Sequence, residues 1–202
     1  MNGAGCATQN KTDANMAFDP KKHHRQSIRL QGYDYSQAGA YFVTVVTHQR
    51  ECLFGKIENG EMILNELGKI ADECWRAIPE HFLFVELGMH VIMPNHMHGM
   101  IVIRAEDAGV GRGAAMLRPY HDDENSHKIN VKPGSLGAII RSYKSAVSYR
   151  SNKKHNATGI WQRNYHEHII RNEHEMDNIW RYIGSNPAQW DDDDENPRRA
   201  MP

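Results

Sequence analysis

Residues 82–104 read FLFVELGMHVIMPNHMHGMIVIR, and this stretch contains two apolar runs separated by Pro94 and Asn95. The runs, Phe82–Met93 and His96–Arg104, are rich in β-branched and aromatic residues, which favour strands. Proline and asparagine between two such runs mark a turn. The stretch therefore predicts two antiparallel strands that are joined by a tight turn and lie at the centre of a sheet.

Further elements flank this pair on both sides. Upstream, Ala40–His48 (AYFVTVVTH) predicts a strand, and Asn59-Gly60 between two short apolar runs predicts a hairpin. Asn65 is expected to cap a helix that Pro79 ends. Apolar residues at helical and strand spacing continue downstream. They predict a helix at Ser135–Tyr149, short strands at Ile160-Trp161 and His168–Ile170, and a last helix at Glu173–Asn186.

The order of these elements is typical of an α+β fold. We predict a ferredoxin-like antiparallel sheet with helices mainly on one face, and a C-terminal helix that carries Tyr182. Residues 1–22 are polar and aperiodic and predict a disordered N-terminal tail, and residues 105–132 predict a long loop. Residues 23–190 form the one predicted domain. Residues 191–202 are an acidic C-terminal tail that we expect to be loosely held.

Composition excludes several classes of protein. The 202 residues contain only three scattered cysteines, which argues against a disulfide framework and for a reducing compartment. No apolar run is long enough to span a membrane, and the N-terminus lacks the apolar stretch of a secretion signal. We therefore expect a cytoplasmic protein with no membrane partner.

The pair His96 and His98 is a candidate metal site. Alternate side chains of a strand share a face, so both imidazoles are predicted to point the same way. Met97 would point to the other face and, with Met100 and Val102, would pack against helices. Two neutral imidazoles can ligate one divalent ion. A His-x-His pair is also common as two histidines on an exposed sheet, so the pattern alone leaves both interpretations open.

Tyr182 and Asn186 form a second candidate site. They are four residues apart on the last predicted helix and so share one of its faces. A tyrosine hydroxyl can attack a phosphodiester and hold the cut end as a phosphotyrosine, and an amide oxygen one turn later can ligate a metal. The alternative is a core aromatic residue followed by a polar helix end before Pro187.

Local charge predicts a nucleic-acid surface. The whole chain has a net charge of −1, but residues 128–171 contain nine Lys or Arg and a single acidic residue. Such a basic stretch favours phosphate binding, and interleaved aromatic residues can stack on unpaired bases. A solvated helix face and loop would show the same charge. The candidate DNA-binding residues are Arg141, Lys144, Lys153, Lys154, Trp161, Arg163, Tyr165 and Arg171.

Four blocks of the chain resemble one known family. VIMPNHMHGMIVI resembles the metal-binding strand of the HUH single-tyrosine transposases, in which U is a bulky apolar residue. GSLGAIIRSYKSAV resembles the helix that follows that strand. WQRNYHEHIIRNEHEMDNIWRYIGSNPAQW resembles the C-terminal block of the REP-associated tyrosine transposases, and HHRQSIRLQGYDYSQAGAYFVTVVTHQRECLFG resembles their first-strand region. The resemblance covers about residues 23–197, and the order of the blocks is more specific than any one of them.

This resemblance implies a role for each matching residue. His96 and His98 match the paired metal ligands, Tyr182 matches the nucleophile, and Asn186 matches the polar residue that can complete the metal site. Tyr165 is a rival nucleophile in the same block. His90 departs from the pattern, because an aromatic or aliphatic residue is expected there.

The implied activity is cleavage and transfer of single-stranded DNA. Such an enzyme needs a divalent ion, with Mg or Mn expected, and forms a covalent 5′-phosphotyrosine on single-stranded or hairpin DNA. A monomer or a homodimer is expected. Two alternatives stay open: a catalytically silent module of the same fold that binds hairpin nucleic acid, and a metal-dependent hydrolase that uses His-x-His without a covalent adduct.

Overall fold

The computed structural model describes Leu30, residues 32–105 and residues 131–197. The predicted tail at 1–22, most of the predicted loop at 105–132 and the end of the acidic tail lie outside these residues. The described elements, in chain order, are β1 Gly39–Val46, β2 Gly55–Glu58, β3 Glu61–Leu64, α1 Glu66–Arg76, α2 Ile78–His81, β4 Val85–Ile92, β5 His96–Ile103, α3 Leu136–His155, β6 His166–Ile170 and α4 Glu173–Ser185. Two short 3₁₀ segments, His48–Arg50 and Pro187–Asp192, complete them.

The main sheet confirms the predicted α+β, ferredoxin-like arrangement. Its strand order is β4-β5-β1-β6, and every neighbouring pair is antiparallel. Of the two strands predicted to be central, only β5 is, because β1 pairs with its free edge and leaves β4 as an edge strand. The Asn59-Gly60 hairpin is confirmed, with β2 and β3 forming a separate two-stranded sheet.

One face of the main sheet packs against α1 and α3. Tyr41, Val43 and Met97 face this side and belong to the large core cluster, together with residues of both helices. Gly99 allows the closest approach, since a Cβ at this position would lie 2.3 Å from the indole ring of Trp75. A larger residue at position 99 would therefore push α1 away from the sheet.

The other face packs against α4. Met100, Ile170 and Ile183 form a smaller core there, and Phe42 packs against it. The prediction that Met100 faces the same side as Met97 was wrong, because the two-residue period of a strand puts Met100 on the side of His96 and His98. The sheet therefore carries α1 and α3 on one face, and α4, which contains Tyr182, on the other.

The helix ends follow the predicted capping residues in part. The Asn65 side chain accepts a hydrogen bond from the Gly68 backbone at the start of α1, as predicted. Pro79 does not itself end α1, because that helix stops at Arg76. Pro79 lies instead in the first turn of the short α2, a position that proline tolerates. Helix α3 continues to His155, beyond the predicted end at Tyr149, and stops where Asn156 adopts a left-handed conformation.

Candidate metal and nucleophile site

The site lies on the α4 face of the sheet, where β5 begins. His96 and His98 both point to this face, as predicted, but neither is exposed: they retain 0% and 4% of their accessible surface. Their Nε2 atoms are 3.1 Å apart. Two neutral imidazole nitrogens at this distance either share a proton or share an ion.

The Nδ1 atom of each histidine has a polar partner on the side of the ring away from the other histidine. His96 Nδ1 lies 2.9 Å from Asn95 Oδ1, and His98 Nδ1 lies 2.8 Å from Thr44 Oγ1 on β1. Phe42 stacks on the His98 ring with centroids 5.3 Å apart. Each Nε2 is thereby left facing the centre of the site, which is the arrangement that metal-binding histidines require.

Burial controls the charge of both histidines. Loss of hydration lowers the pKa of His96 and that of His98 to about 3, because a buried imidazolium is poorly solvated. Both rings are therefore neutral at physiological pH. A neutral imidazole is the form that ligates a metal ion.

This burial predicts an acid sensitivity of the metal-free protein. In the unfolded chain His96 and His98 take up protons below about pH 6.5, whereas in the folded protein they resist protonation down to about pH 3. The unfolded state thus binds more protons in this window, and the free energy of unfolding falls as the pH decreases from 6.5. Each pH unit lowers it by up to about 1.4 kcal/mol per histidine.

Urea denaturation in EDTA between pH 7 and 4 measures this effect. The double variant His96→Gln/His98→Gln should show a flatter pH dependence than the wild type, because the other titrating groups are common to both proteins. Parallel curves would contradict the assignment of the acid sensitivity to these two rings.

Tyr182 reaches the same site from α4. Its hydroxyl lies 3.2 Å from His98 Nε2, and its ring meets Phe42 edge-on at 6.0 Å. The residue keeps 42% of its accessible surface, so part of Tyr182 borders solvent. Burial first, and then the carboxylate of Asp193, raises the pKa of Tyr182 above its ordinary value. Forming a tyrosinate here requires a compensating positive charge.

Asn186 lies one turn beyond Tyr182, at the end of α4, and is buried. Its Nδ2 donates to Asp193 Oδ2 at 3.1 Å. Its Oδ1 is also buried and has no hydrogen-bond partner among the described residues. A buried amide oxygen without a donor is destabilising unless something else, such as a cation, satisfies it.

Asp193 is a site residue that the sequence reasoning missed. Its carboxylate Oδ2 lies 3.9 Å from His96 Nε2, and the residue is buried. The expectation of a loosely held acidic tail was wrong for residues 191–197, since Asp193 and Asn196 are buried and Glu195 forms an ion pair with Arg50 at 2.8 Å. The acidic run at Asp191–Asp194 was the available signal, but nothing local indicated where it would pack.

The donor set fits a divalent metal ion. One ligand atom each from His96, His98 and Asp193 lie within 4.8 Å of one another. The unpartnered Oδ1 of Asn186 is a fourth candidate donor beside them. Two imidazole nitrogens with carboxylate and amide oxygens form a mixed donor set, which suits a divalent ion that accepts both nitrogen and oxygen ligands, such as Mn²⁺. Charge supports the same conclusion, because two neutral rings and one buried carboxylate leave a net negative site.

A cavity of about 330 Å³ opens beside Tyr182. It continues past Phe42 and Thr44 on β1 to His166 on β6, and acidic side chains form its other wall. The lining residues are Phe42, Thr44, His98, His166, Tyr182, Asn186, Gln189, Asp192, Asp193, Asp194 and Glu195. The nucleophile candidate and the metal candidate therefore share one cavity.

The predicted DNA-binding residues divide into two groups. Tyr165 is buried in the large core, and Trp161 packs its ring against Phe54 and Tyr143. Lys144 donates from Nζ to the backbone oxygens of Gln162 and Asn164, and burial lowers its pKa to about 8. The side chains of these three residues therefore make contacts within the protein. The exposed group is Arg141, Lys153, Lys154, Arg163 and Arg171.

The exposed basic residues do not all surround the site. Arg141, Lys153 and Lys154 lie on α3, whose apolar side packs on the sheet face opposite to the histidines. Arg171 lies between β6 and α4, the helix that carries Tyr182. The structure thus brings together the predicted metal and nucleophile residues but separates them from the α3 cations.

His90, the residue that departs from the family pattern, has a partner on α1. Its Nε2 lies 2.7 Å from Asp72 Oδ1, and Arg76 donates to the other oxygen of that carboxylate. The polar residue is thus accommodated at the edge of the α1 face, away from His96 and His98.

Comparisons with known proteins identify relatives of this chain. The chain is 40% identical over 171 residues to an uncharacterized protein of Haemophilus influenzae, covering 85% of this chain and 92% of that relative. It is 22% identical over 157 residues to another Haemophilus influenzae protein, provisionally named as a REP-associated tyrosine transposase, covering 77% and 74% of the two chains. No family model matches the chain.

A solved structure has the same fold. It is a REP-associated tyrosine transposase bound to a REP hairpin, with a TM-score of 0.53 at 18% identity, covering 80% of this chain and 73% of the other. The chain is thus similar to REP-associated tyrosine transposases in sequence and in fold. In this chain the predicted residues Tyr182 and Asn186 meet His96 and His98 at one site. Among the described residues, no helix has both the length and the apolar character needed to cross a membrane.

Proposed function

We propose that this protein is a metal-dependent single-strand DNA endonuclease and strand transferase that acts on hairpin or REP-like DNA through a covalent 5′-phosphotyrosine. The observation that carries the proposal is the position of the Tyr182 hydroxyl, 3.2 Å from Nε2 of the buried His98. A nucleophile so close to a candidate metal ligand is suited to attack a phosphodiester whose oxygen binds at the same centre.

The proposed step exchanges one ester bond for another. Tyr182 Oη attacks phosphorus as the bond from phosphorus to the 3′ oxygen breaks, and the tyrosine becomes linked to the 5′ side of the cut. The hydroxyl proton leaves to solvent, which the half-exposed ring borders, and the departing 3′ oxygen takes a proton from water. Attack by another 3′-hydroxyl reverses the step and rejoins DNA, so no external energy source is needed.

His96, His98 and Asn186 would hold the divalent ion, with Asp193 as a further ligand. When bound, the ion would offset charge at phosphorus and on the tyrosine oxygen. His96 and His98 contribute neutral nitrogens, and the carboxylate of Asp193 supplies the negative charge that attracts a cation. Mn is favoured over Mg by the two nitrogen donors.

The proposed substrate is single-stranded or hairpin DNA. A REP hairpin is bound in the solved relative, and exposed cations on this chain can neutralise phosphates. Arg171 and Arg163 are the proposed contacts near the β6 edge, whereas Arg141, Lys153 and Lys154 would contact DNA only if it also reaches α3. A monomer or a homodimer stays a prediction.

A denaturing gel with end-labelled hairpin oligonucleotides and Mn²⁺ or Mg²⁺ tests the proposal. A protein–DNA adduct should carry the 3′-end label and not the 5′-end label, because the tyrosine holds the fragment downstream of the cut. Cleavage without an adduct would instead identify a hydrolase. Binding without cleavage under any divalent ion would identify a silent hairpin-binding module.

A further inference from the structure

Asn95 is a fully buried side chain in the turn between β4 and β5, directly before His96. Its Nδ2 donates two hydrogen bonds, one to the backbone oxygen of Arg50 at 3.1 Å and one to that of Glu195 at 2.7 Å. Both acceptors are carbonyl oxygens, which cannot donate. The amide is therefore oriented by its partners, with the NH₂ group toward Arg50 and Glu195.

This orientation determines which nitrogen of His96 carries the proton. Asn95 Oδ1 faces His96 Nδ1 at 2.9 Å, and an amide oxygen can only accept. This contact favours Nδ1 as the protonated nitrogen, because the acceptor-only oxygen on the other side of the ring, Asp193 Oδ2, lies 3.9 Å from Nε2 and is beyond hydrogen-bond reach. A neutral imidazole has one N–H, so Nε2 keeps its lone pair and directs it toward His98 Nε2 and Asp193 Oδ2.

His98 is constrained only indirectly, because its Nε2 lies 3.1 Å from the bare Nε2 of His96 and therefore carries the proton in the metal-free protein. Its Nδ1 faces the hydroxyl of Thr44, which can donate or accept, and its Nε2 faces the hydroxyl of Tyr182, which can do the same. The two histidines therefore differ: the tautomer of His96 is determined by Asn95, whereas that of His98 follows from His96.

The C-terminal segment lies close to both ring nitrogens of His96, to Nδ1 through Asn95 and to Nε2 through Asp193. The Glu195 backbone oxygen, 100 residues along the chain from Asn95, orients the amide behind Nδ1. Asp193, two residues earlier, places its carboxylate near Nε2. Glu195 N donates to Asp193 Oδ1 at 2.7 Å and joins the two contacts into one turn.

We propose that Asn95 is a positioning residue: held by the backbone of Arg50 and Glu195, it keeps His96 in the Nδ1–H tautomer and so presents Nε2 for a metal ion. The importance of this tautomer for the reaction rests on the proposed metal site. The tautomer itself does not, because it follows from hydrogen bonds within the protein.

Long-range ¹H–¹⁵N NMR of histidine-labelled, metal-free protein above pH 7 tests the tautomer directly. The His96 signals are assigned by their loss in His96→Gln. Wild-type His96 should be protonated on Nδ1. Asn95→Ala should lose this preference. An Nε2–H ring in the wild type, or an unchanged ring in Asn95→Ala, would overturn the proposal.

Asn196→Ala is the matched control. Asn196 is also buried and donates from Nδ2 to the Trp190 backbone oxygen at 2.8 Å, so its loss loosens the same segment without removing a contact to His96. The control should keep the His96 tautomer. Should Asn95→Ala fail to fold, the wild-type spectrum still decides the matter, because an Nε2–H ring there would overturn the proposal.

Calorimetric titration with Mn²⁺, without DNA, tests the consequence for the metal. Asn95→Ala should bind Mn²⁺ about 10- to 100-fold more weakly than the wild type, the loss typical of groups that orient a metal-binding histidine. Equal Mn²⁺ affinity in the two proteins would overturn the positioning role. A wild type that binds no Mn²⁺ but shows the expected tautomer would count against the proposed function and leave the role of Asn95 in orienting His96 intact.

Discussion

Tyr182→Phe is expected to abolish both the covalent adduct and DNA cleavage, by a factor on the order of 10⁴ or more, as for other covalent nucleophiles. The variant removes a single oxygen and keeps the ring that packs against Phe42. Because Tyr182 is partly exposed and the variant leaves no large cavity, folding stability should change by less than about 1 kcal/mol. Hairpin affinity and Mn²⁺ affinity should be retained.

Tyr165→Phe is the matched control, since Tyr165 was the rival nucleophile. Tyr165 belongs to the large core and has only 8% of its surface exposed, so its hydroxyl is poorly placed to meet a DNA phosphate. This variant should cleave DNA and form the adduct. Mass spectrometry of the DNA-linked peptide gives an independent answer. A nucleotide on Tyr165 would show that the nucleophile had been assigned to the wrong residue, although the reaction class would stand.

Replacing the metal ligands is expected to have the second large effect. His96→Gln and His98→Gln should each weaken Mn²⁺ binding by at least the roughly 10- to 100-fold seen when supporting groups are lost, and should abolish cleavage. Glutamine is preferable to alanine because both rings are buried and truncation would also leave a cavity. Calorimetry without DNA measures the affinity separately from catalysis.

The same titration assigns the oxygen ligands. Asp193→Asn removes the charge near His96 Nε2 and should weaken Mn²⁺ binding at least about tenfold. Asp191→Asn removes an equal charge from an exposed residue of the same segment that does not line the cavity, and should have little effect. Asn186→Ala should lie between these variants, with activity partly restored by more metal. Unchanged affinity in a double His96→Gln/His98→Gln variant would refute the metal site.

The local part of this site could be predicted from the sequence. The two-residue period of a strand placed His96 and His98 on one face, and the four-residue spacing of a helix turned Tyr182 and Asn186 the same way. The Asn65 cap and the Asn59-Gly60 hairpin were predicted for the same reason. Each depends on residues a few positions apart, whose geometry the backbone itself determines.

The tertiary structure decided what depends on distant parts of the chain. Lys144, Trp161 and Tyr165 looked like DNA contacts in a basic stretch, but packing of α3 and its following loop against the sheet uses them inside the protein. β4 became an edge strand only because β1 took the other side of β5.

The acidic segment is the clearest case. As a sequence, Asp191–Asp194 and Glu195 have no partner nearby and read as a solvated tail. In the fold, Asp193 and the Glu195 backbone approach His96 and Asn95 across about a hundred residues of chain. Local periodicity carries no information about such a contact, because it forms only when the sheet and α4 bring the two segments together.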